Sequence, residues 1–262
     1  MHLLSNWLIF NYECGYRYTC IVFITFVKEE EKIMDLSRRL QCIADEVLPG
    51  SAVADIGTDH GYVPIYLYLK GKIRKGIAMD IGEGPLARAK KNIQMYEASS
   101  VIETRQSDGL EKLEIGEVDT IIIAGMGGLL IQQILEGKTG VLRTVQRLIL
   151  QPQRDQEKTR RFLHKQGFKI SNEQMIKEEG HYYTIITGIP GQESYQREVD
   201  YLFGRKLIEE KSPILKEYIC DQLSKYDTII NNIQGYETEA VQKKKEEAIV
   251  FQNICKEVLQ WL

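Results

Sequence analysis

The segment from Val53 to Pro64 constrains the fold of this chain more than any other part of its sequence. It reads VADIGTDHGYVP, an apolar strand that ends at an acid and runs through a glycine-bearing turn into helix-compatible residues. Such a strand delivers its acid, Asp55, to the carboxyl edge of a parallel sheet, while Gly57 allows a sharp turn and Gly61 allows close packing of the next helix. The segment predicts a nucleotide-type cofactor site, although similar turns also occur in α/β proteins that bind nothing there.

The residues of the turn favour a cationic cofactor. Within Gly57-Thr58-Asp59-His60-Gly61, an acid stands where dinucleotide-binding proteins carry the middle glycine of GxGxxG. A carboxylate at this position would repel a pyrophosphate, whereas the sulfonium and amino groups of S-adenosylmethionine are cationic and tolerate it. We therefore predict S-adenosylmethionine as the cofactor.

Later strand ends carry further candidate contacts. An apolar strand ends at Asp80, 19 residues after Gly61 and close to the spacing of about 20 at which an acid meets ribose hydroxyls. Asp108 ends a third strand and is suited to accept a hydrogen bond from an adenine amino group. A fourth strand runs into the sequence GMGG at 125–128, where missing side chains leave room for ligands. The predicted cofactor contacts are Asp55, Gly57, Thr58, His60, Gly61, Tyr62, Asp80, Ile81, Asp108, Gly109, Ala124, Gly125, Met126 and Gly127.

Together these motifs resemble a known family. DIGTDHGYVP at 55–64, AGMGG at 124–128, LQP at 150–152 and a helical tail are similar to the bacterial tRNA (adenine-22-N1)-methyltransferases, and the match starts near Met34 at the sequence LSRRL. The resemblance implies a class I methyltransferase domain, a coiled-coil domain and methylation of adenine N1 in tRNA. One position departs from the family pattern: we expect asparagine after Leu-Gln-Pro and find Gln153, which leaves the role of that position open.

The order of predicted elements indicates an α/β fold with a Rossmann-like, mostly parallel sheet. Predicted parallel strands span 52–57, 76–81, 101–106, 119–124 and 147–151. Two further strands, 168–172 and 181–188, are too close for a parallel crossover and predict an antiparallel hairpin. We expect a methyltransferase domain at 34–190 and a helical domain at 191–262.

The C-terminal domain has the pattern of two helices. Ser212 and Pro213 form an N-cap and a first helical residue, and we expect the first helix to end at Gly235. The apolar seams contain Leu215, Ile219, Leu223, Tyr226, Ile230 and Ile233, then Val241, Ala248, Phe251, Cys255, Val258 and Leu262. These seams predict an antiparallel coiled-coil hairpin that either grips tRNA or serves dimerisation or stability.

Charge and cysteine usage bear on partners and compartment. The net charge is −3, but residues 143–169 hold eight basic and two acidic residues, either an RNA-binding face or a solvated helix. Within this stretch we select Arg154, Lys158, Arg160 and Arg161 as RNA contacts. Five cysteines without a CxxC pair predict a reducing, cytoplasmic setting with no disulfide framework and no metal site.

Residues 1–33 do not match the pattern of the rest. Their two apolar runs, 3–10 and 19–27, are too short for a membrane span and lack signal-peptide features, so we expect no membrane partner. We interpret this leader as an over-extended start or a poorly packed extension. The oligomeric state stays open, with a monomer favoured.

Methyl transfer to adenine N1 depends mainly on how the protein orients the base towards the methyl group, because N1 carries an available lone pair at neutral pH. Asp59 is the candidate catalytic residue, accepting from the exocyclic amine, or else it binds cofactor or caps the turn. Tyr62, Tyr182 and Tyr183 are candidates for stacking on the flipped base, with a core role as the alternative. The fourth strand lacks an Asn/Asp-Pro-Pro-Tyr turn, which disfavours methylation of exocyclic amines.

Two other functions remain open from the sequence. One is a small-molecule methyltransferase whose helical tail only dimerises. The other is a non-catalytic RNA-binding homologue that has kept the fold.

Overall fold

One seven-stranded sheet organises the part of the chain that the structure, a computed structural model, describes: residues 34–233 and 238–262. The expectations for residues 1–33 and for Gly235 lie outside this part. The strands are β1 (Ser51–Ile56), β2 (Ile73–Asp80), β3 (Ile102–Gln106), β4 (Thr120–Met126), β5 (Arg147–Pro152), β6 (Phe168–Glu178) and β7 (His181–Pro190). Their order across the sheet is β3-β2-β1-β4-β5-β7-β6.

The pairing of the strands confirms the predicted Rossmann-like topology. Strands β1 to β5 pair in parallel, and β7 pairs antiparallel with both β5 and β6. The predicted end of β6 at 172 is wrong, because β6 continues to Glu178 and leaves only Glu179 and Gly180 for the turn. Both turn residues have positive φ, 49° and 79°, as a tight two-residue hairpin requires.

Six helices pack on the two faces of the sheet and form two apolar cores with it. The helices are α1 (Arg38–Asp45), α2 (Tyr62–Leu69), α3 (Glu83–Met95), α4 (Gly128–Glu136), α5 (Thr139–Leu142) and α6 (Gln156–Lys165). Along β1 the side chains alternate between the two cores: Ala54 packs with residues of α4 and α6, and Val53 packs with residues of α1, α2 and α3. The central strand β1 is therefore buried on both faces.

The chain after β7 is helical and builds a third core. A π-helical turn (Asp200–Gly204) leads into α7 (Arg205–Glu209), α8 (Pro213–Asn232) and α9 (Glu239–Leu259), of which the first two elements were not predicted. The predicted N-cap is confirmed, since the Ser212 hydroxyl accepts from the Leu215 amide at 3.3 Å. Buried residues of this core are Val199, Phe203, Leu207, Ile208, Leu215, Ile219, Cys255 and Val258. No helix in the described ranges is long and apolar enough to cross a membrane.

Arg160 corrects one sequence-based assignment, because its side chain is only 1% exposed and cannot reach RNA. Its Nε donates to Glu173 Oε1 at 2.6 Å, and its Nη1 donates to the Tyr201 carbonyl at 2.8 Å. Gly204 lies so close to this ion pair that an added Cβ would be 2.8 Å from Glu173 Oε2. The buried pair therefore joins α6, β6 and the π-helical turn.

Removing the Arg160 charge should destabilise the fold severely. We expect Arg160→Met to lower the free energy of unfolding by about 3 to 5 kcal/mol, because Glu173 is left as an unpaired buried charge. The neighbouring variant Arg161→Met is the control, since its side chain is 38% exposed and its ion pairs should contribute about 1 kcal/mol or less. Denaturant unfolding measures both, and equal losses in the two variants would contradict this role of the pair.

Candidate cofactor and substrate site

A cavity of about 360 Å³ opens at the carboxyl edge of the sheet, between the ends of β1 and β4. Nine of the predicted site residues line it: Asp55, Gly57, Thr58, Asp59, His60, Gly61, Tyr62, Ala124 and Gly125. Arg39, Leu40 and Val63 complete the lining and were not predicted. Its size falls within the range of about 300 to 1,000 Å³ that is usual for small-molecule sites.

Glycines shape this cavity at the two strand ends. Gly57 has φ 78°, and a Cβ there would overlap the Met126 side chain, which lies across it. Gly125 has φ 77° and interrupts the pairing of β4 with β5 as a bulge. These two positions require glycine because their backbone conformation is left-handed.

The other predicted cofactor contacts lie along the same edge but outside this cavity. Asp80 Oδ1 accepts from the Gly82 amide at 2.7 Å, and the following Ile81 is 64% exposed. Asp108 and Gly109 line a second depression of about 210 Å³ next to Leu130. Since β1, β2 and β3 are neighbours in the sheet, their acids form a row along one edge.

Asp55 is the buried carboxyl group of the site. Asp55 is only 8% exposed, and this burial raises its pKa to about 6. A hydrogen bond with the Thr58 hydroxyl acts in the opposite direction and lowers the pKa. The nearby carboxylate of Asp80 raises this pKa further. A bound cation would favour the ionised form, so Asp55 is electrostatically suited to a positively charged ligand.

Asp59 is held differently, at the exposed side of the cavity. Its Oδ1 accepts from Arg88 Nε at 3.0 Å, and its Oδ2 lies 3.1 Å from His60 Nε2. The Arg88 hydrogen bond keeps the pKa of Asp59 below its usual value. The His60 ring in turn stacks on Tyr62, with ring centroids 4.8 Å apart. Asp59 is thus an ionised acceptor, and its catalytic role remains a prediction.

Arg39 and Gln151, like Arg88, are polar groups of this region that the sequence analysis missed. Gln151 is 1% exposed, and its Oε1 accepts from Arg39 Nη1 at 2.9 Å and from the Gly125 amide at 3.2 Å. Gln151 connects α1 to the bulge of β4. A glutamine at the end of the apolar strand Leu148-Ile149-Leu150 was a visible signal for Gln151, but no local pattern indicated Arg39.

The candidate stacking tyrosines point in different directions. Tyr62 lines the cavity, and the ring of Tyr183 lies beneath the Arg39 guanidinium, 5.4 Å from it. Tyr182 instead donates to Asp221 of α8 at 2.6 Å, so it lies away from the cavity.

The remaining candidate RNA contacts are exposed to different degrees. Arg154 is 83% exposed and lies beside Gly127, where an added Cβ would be 3.1 Å from its Nε. Lys158 pairs with Asp155 at 3.0 Å and stays half-exposed. Arg161 is engaged with Glu157, Glu198 and the ring of Tyr201. Among the described residues, no cluster of His, Cys, Asp and Glu could hold a metal ion.

Comparison with known proteins gives consistent matches over most of the chain. A family model described as tRNA (adenine(22)-N(1))-methyltransferase matches residues 53–256. A Bacillus subtilis (strain 168) protein named tRNA (adenine(22)-N(1))-methyltransferase is 34% identical over 232 residues, covering 86% of this chain and 98% of its own.

Solved structures agree with these sequence matches. A Streptococcus pneumoniae protein in complex with S-adenosyl-L-methionine is 33% identical with a TM-score of 0.78, and the match covers 86% of this chain and 100% of that one. M. capricolum TrmK in complex with S-adenosylhomocysteine is 28% identical with a TM-score of 0.76, covering 86% and 98% of the two chains.

The raised pKa of Asp55 predicts how stability depends on pH. The folded state binds this proton more tightly than the unfolded state, so stability should fall as pH rises from about 4 to about 6. Asp55→Asn removes this loss and should be more stable than the wild type by about 3 kcal/mol at pH 7, with the difference vanishing near pH 4. Thermal unfolding across this range measures the effect, and equal stability at pH 7 would contradict it.

Proposed function

The chain belongs to the tRNA (adenine(22)-N(1))-methyltransferase family, and we propose that it transfers the methyl group of S-adenosylmethionine to N1 of an adenine, at position 22, in tRNA. The cavity between Asp55 and Gly125 carries this proposal, because it joins an acidic strand end to open space beside a glycine bulge. The named relatives and their bound ligands support it.

The residues of the edge fit S-adenosylmethionine. Asp55 suits the cationic amino group and sulfonium, Asp80 the ribose hydroxyls, and Asp108 the adenine amino group. Arg39 is the cationic partner for the carboxylate of the cofactor, because Arg39 lines the same cavity. Exposed Ile81 and Leu130 offer apolar surface for the adenine ring. When bound, the cofactor supplies an electrophilic methyl group on sulfur.

The protein's contribution to the transfer is mainly orientation. The adenine must leave its stack and enter the space beside Gly125, with N1 directed at the methyl group. Asp59 accepts from the exocyclic amine and stabilises the positive charge that develops on the ring. No general base is needed, because N1 carries no proton to remove.

Contacts outside the cavity hold the tRNA. Arg154 presents positive charge beside Gly127, and Lys158 presents a second charge next to Asp155 at the start of α6. Helices α8 and α9 act as a coiled-coil arm that grips the tRNA away from the cavity. Because tRNA is the substrate, we propose a cytoplasmic enzyme, and we propose that it acts as a monomer.

The enzyme divides into a methyltransferase domain at 34–190 and a helical domain at 191–262, with residues 1–33 dispensable. The boundary near 190 is a packed one, because Met175 of β6 packs against the third core and Arg160 Nη1 donates to the Tyr201 carbonyl across it. For this reason the helical domain orients the substrate as part of one body with the sheet.

Methyl transfer can be tested directly. The purified protein should incorporate labelled methyl from S-adenosylmethionine into tRNA that lacks the modification. Digestion to nucleosides and mass spectrometry should then yield 1-methyladenosine. N6-methyladenosine as the product, or methylation of small molecules but not of tRNA, would contradict the proposed function.

Loss of the Asp80 carboxylate should weaken cofactor binding. We expect Asp80→Ala to reduce S-adenosylmethionine affinity by about 1.5 to 3 kcal/mol, the range for a charged hydrogen-bond partner. Asp45→Ala, at the exposed end of α1, is the matched control and should bind normally. Calorimetric titration measures both, and unchanged affinity in folded Asp80→Ala would refute the ribose assignment.

Charge reversal at Arg154 and Lys158 should flatten the salt dependence of tRNA binding. Each lost phosphate contact should reduce the slope of log affinity against log salt by about 0.7 to 0.9. Reversal of Lys90 and Lys91, both exposed on α3, is the control for net charge. A similar slope change in both double variants would indicate a general charge effect and not a binding face.

A further inference from the structure

The carboxamide of Gln153 lies next to Gly125, a lining residue of the cavity, and makes no hydrogen bond with any described residue. Its Nε2 lies 4.0 Å from the point where a Cβ on Gly125 would stand. Apart from the chain neighbours of Gly125, no other described atom lies within 4 Å of that point. Gln153 therefore borders open space in front of the glycine bulge.

The backbone that carries this carboxamide is tightly held. The Gln153 amide donates to the Met126 carbonyl at 2.8 Å, and buried Pro152 precedes it. On the floor of the site, the Gly125 amide donates to Gln151 Oε1 at 3.2 Å. The backbone of Gln153 is thus hydrogen-bonded to the bulged end of β4. Its side chain is exposed and free to engage a ligand.

The chemistry of the reaction limits how the target base can be recognised. N1 must face the methyl group, so hydrogen bonds that identify adenine have to use its other edge, N6 and N7. A carboxamide matches that edge, since its oxygen accepts from the N6 amine and its nitrogen donates to N7. Guanine presents two acceptors, O6 and N7, on the same edge and leaves the carboxamide oxygen facing another oxygen.

Taking the proposed function as its basis, we infer that Gln153 reads the N6 and N7 edge of the target adenine and is a specificity-determining residue. The N6 amine has two hydrogens, one beside N7 and one beside N1. Gln153 engages the first, which leaves the second for Asp59.

The test pairs a variant with an altered base. Gln153→Ala and wild type are compared by kcat/KM on tRNA that carries either adenine or 7-deazaadenine at the methylated position. The altered base lacks the N7 acceptor but keeps N1 and N6. Gln146→Ala, an exposed glutamine just before the amino end of β5, is the matched control.

We expect Gln153→Ala to lose about 10- to 100-fold on the adenine substrate. The wild type and Gln146→Ala should lose activity on 7-deazaadenine, whereas Gln153→Ala should show no further loss. Any difference in intrinsic N1 reactivity between adenine and 7-deazaadenine is the same for every enzyme. It therefore cancels when the ratio of kcat/KM on the two substrates is compared between variants. S-adenosylmethionine affinity should be unchanged in both variants.

Two results would overturn the inference while leaving methylation of tRNA intact. One is wild-type activity of Gln153→Ala on adenine. The other is an equal 7-deazaadenine penalty in Gln153→Ala and wild type. A wild-type protein that is inert on tRNA would instead overturn the proposed function and this inference together.

Discussion

The site depends on one topological constraint: parallel strands all end at the same edge of the sheet. The order β3-β2-β1-β4-β5 runs outward in both directions from the neighbours β1 and β4. The connection that follows β1 leads towards β2, and the one that follows β4 leads the other way, towards β5. A crevice is left between them at the carboxyl ends of β1 and β4. The cavity lies there, and residues as distant in sequence as Asp55 and Gly125 meet without any special contact to bring them together.

Buried charge is treated in two ways in this molecule. The Arg160–Glu173 pair is fully satisfied and holds elements together, whereas Asp55 is buried without a cationic partner among the described residues. The stability that the two apolar cores contribute offsets the free-energy cost of burying this carboxylate. An unpaired buried acid at a strand end is typical of a site shaped for a ligand and not for stability alone.

Local patterns were sufficient to predict the parts of the site that lie on one turn. The residues from Asp55 to Tyr62 are contiguous, so a strand followed by glycines was enough to place them at an edge. Arg39 could not be predicted, because it reaches the cavity only through packing of α1 on the sheet. Arg160 was misread, since its neighbours in sequence are charged and only the tertiary fold shows its burial.

Similar reasons explain the errors in the fold. Residues 173–178 are mixed polar and apolar, and only pairing with β7 makes them a strand. The segment 199–209 is too short and irregular for a clear helical period, and its side chains gain a core from α8 and α9. Strands β1, β4 and β5 were the most predictable, because each holds a buried apolar run, as central parallel strands do.

Adjacent tyrosines on β7 contact opposite sides of the sheet. Tyr182 bonds to α8 through Asp221, while Tyr183 lies against Arg39 at the cavity. Alternation along a strand makes this arrangement unavoidable for neighbouring residues. The hairpin consequently gives α8 and the cavity wall neighbouring points of attachment: one peptide unit separates the ring that bonds to α8 from the ring that lies under Arg39.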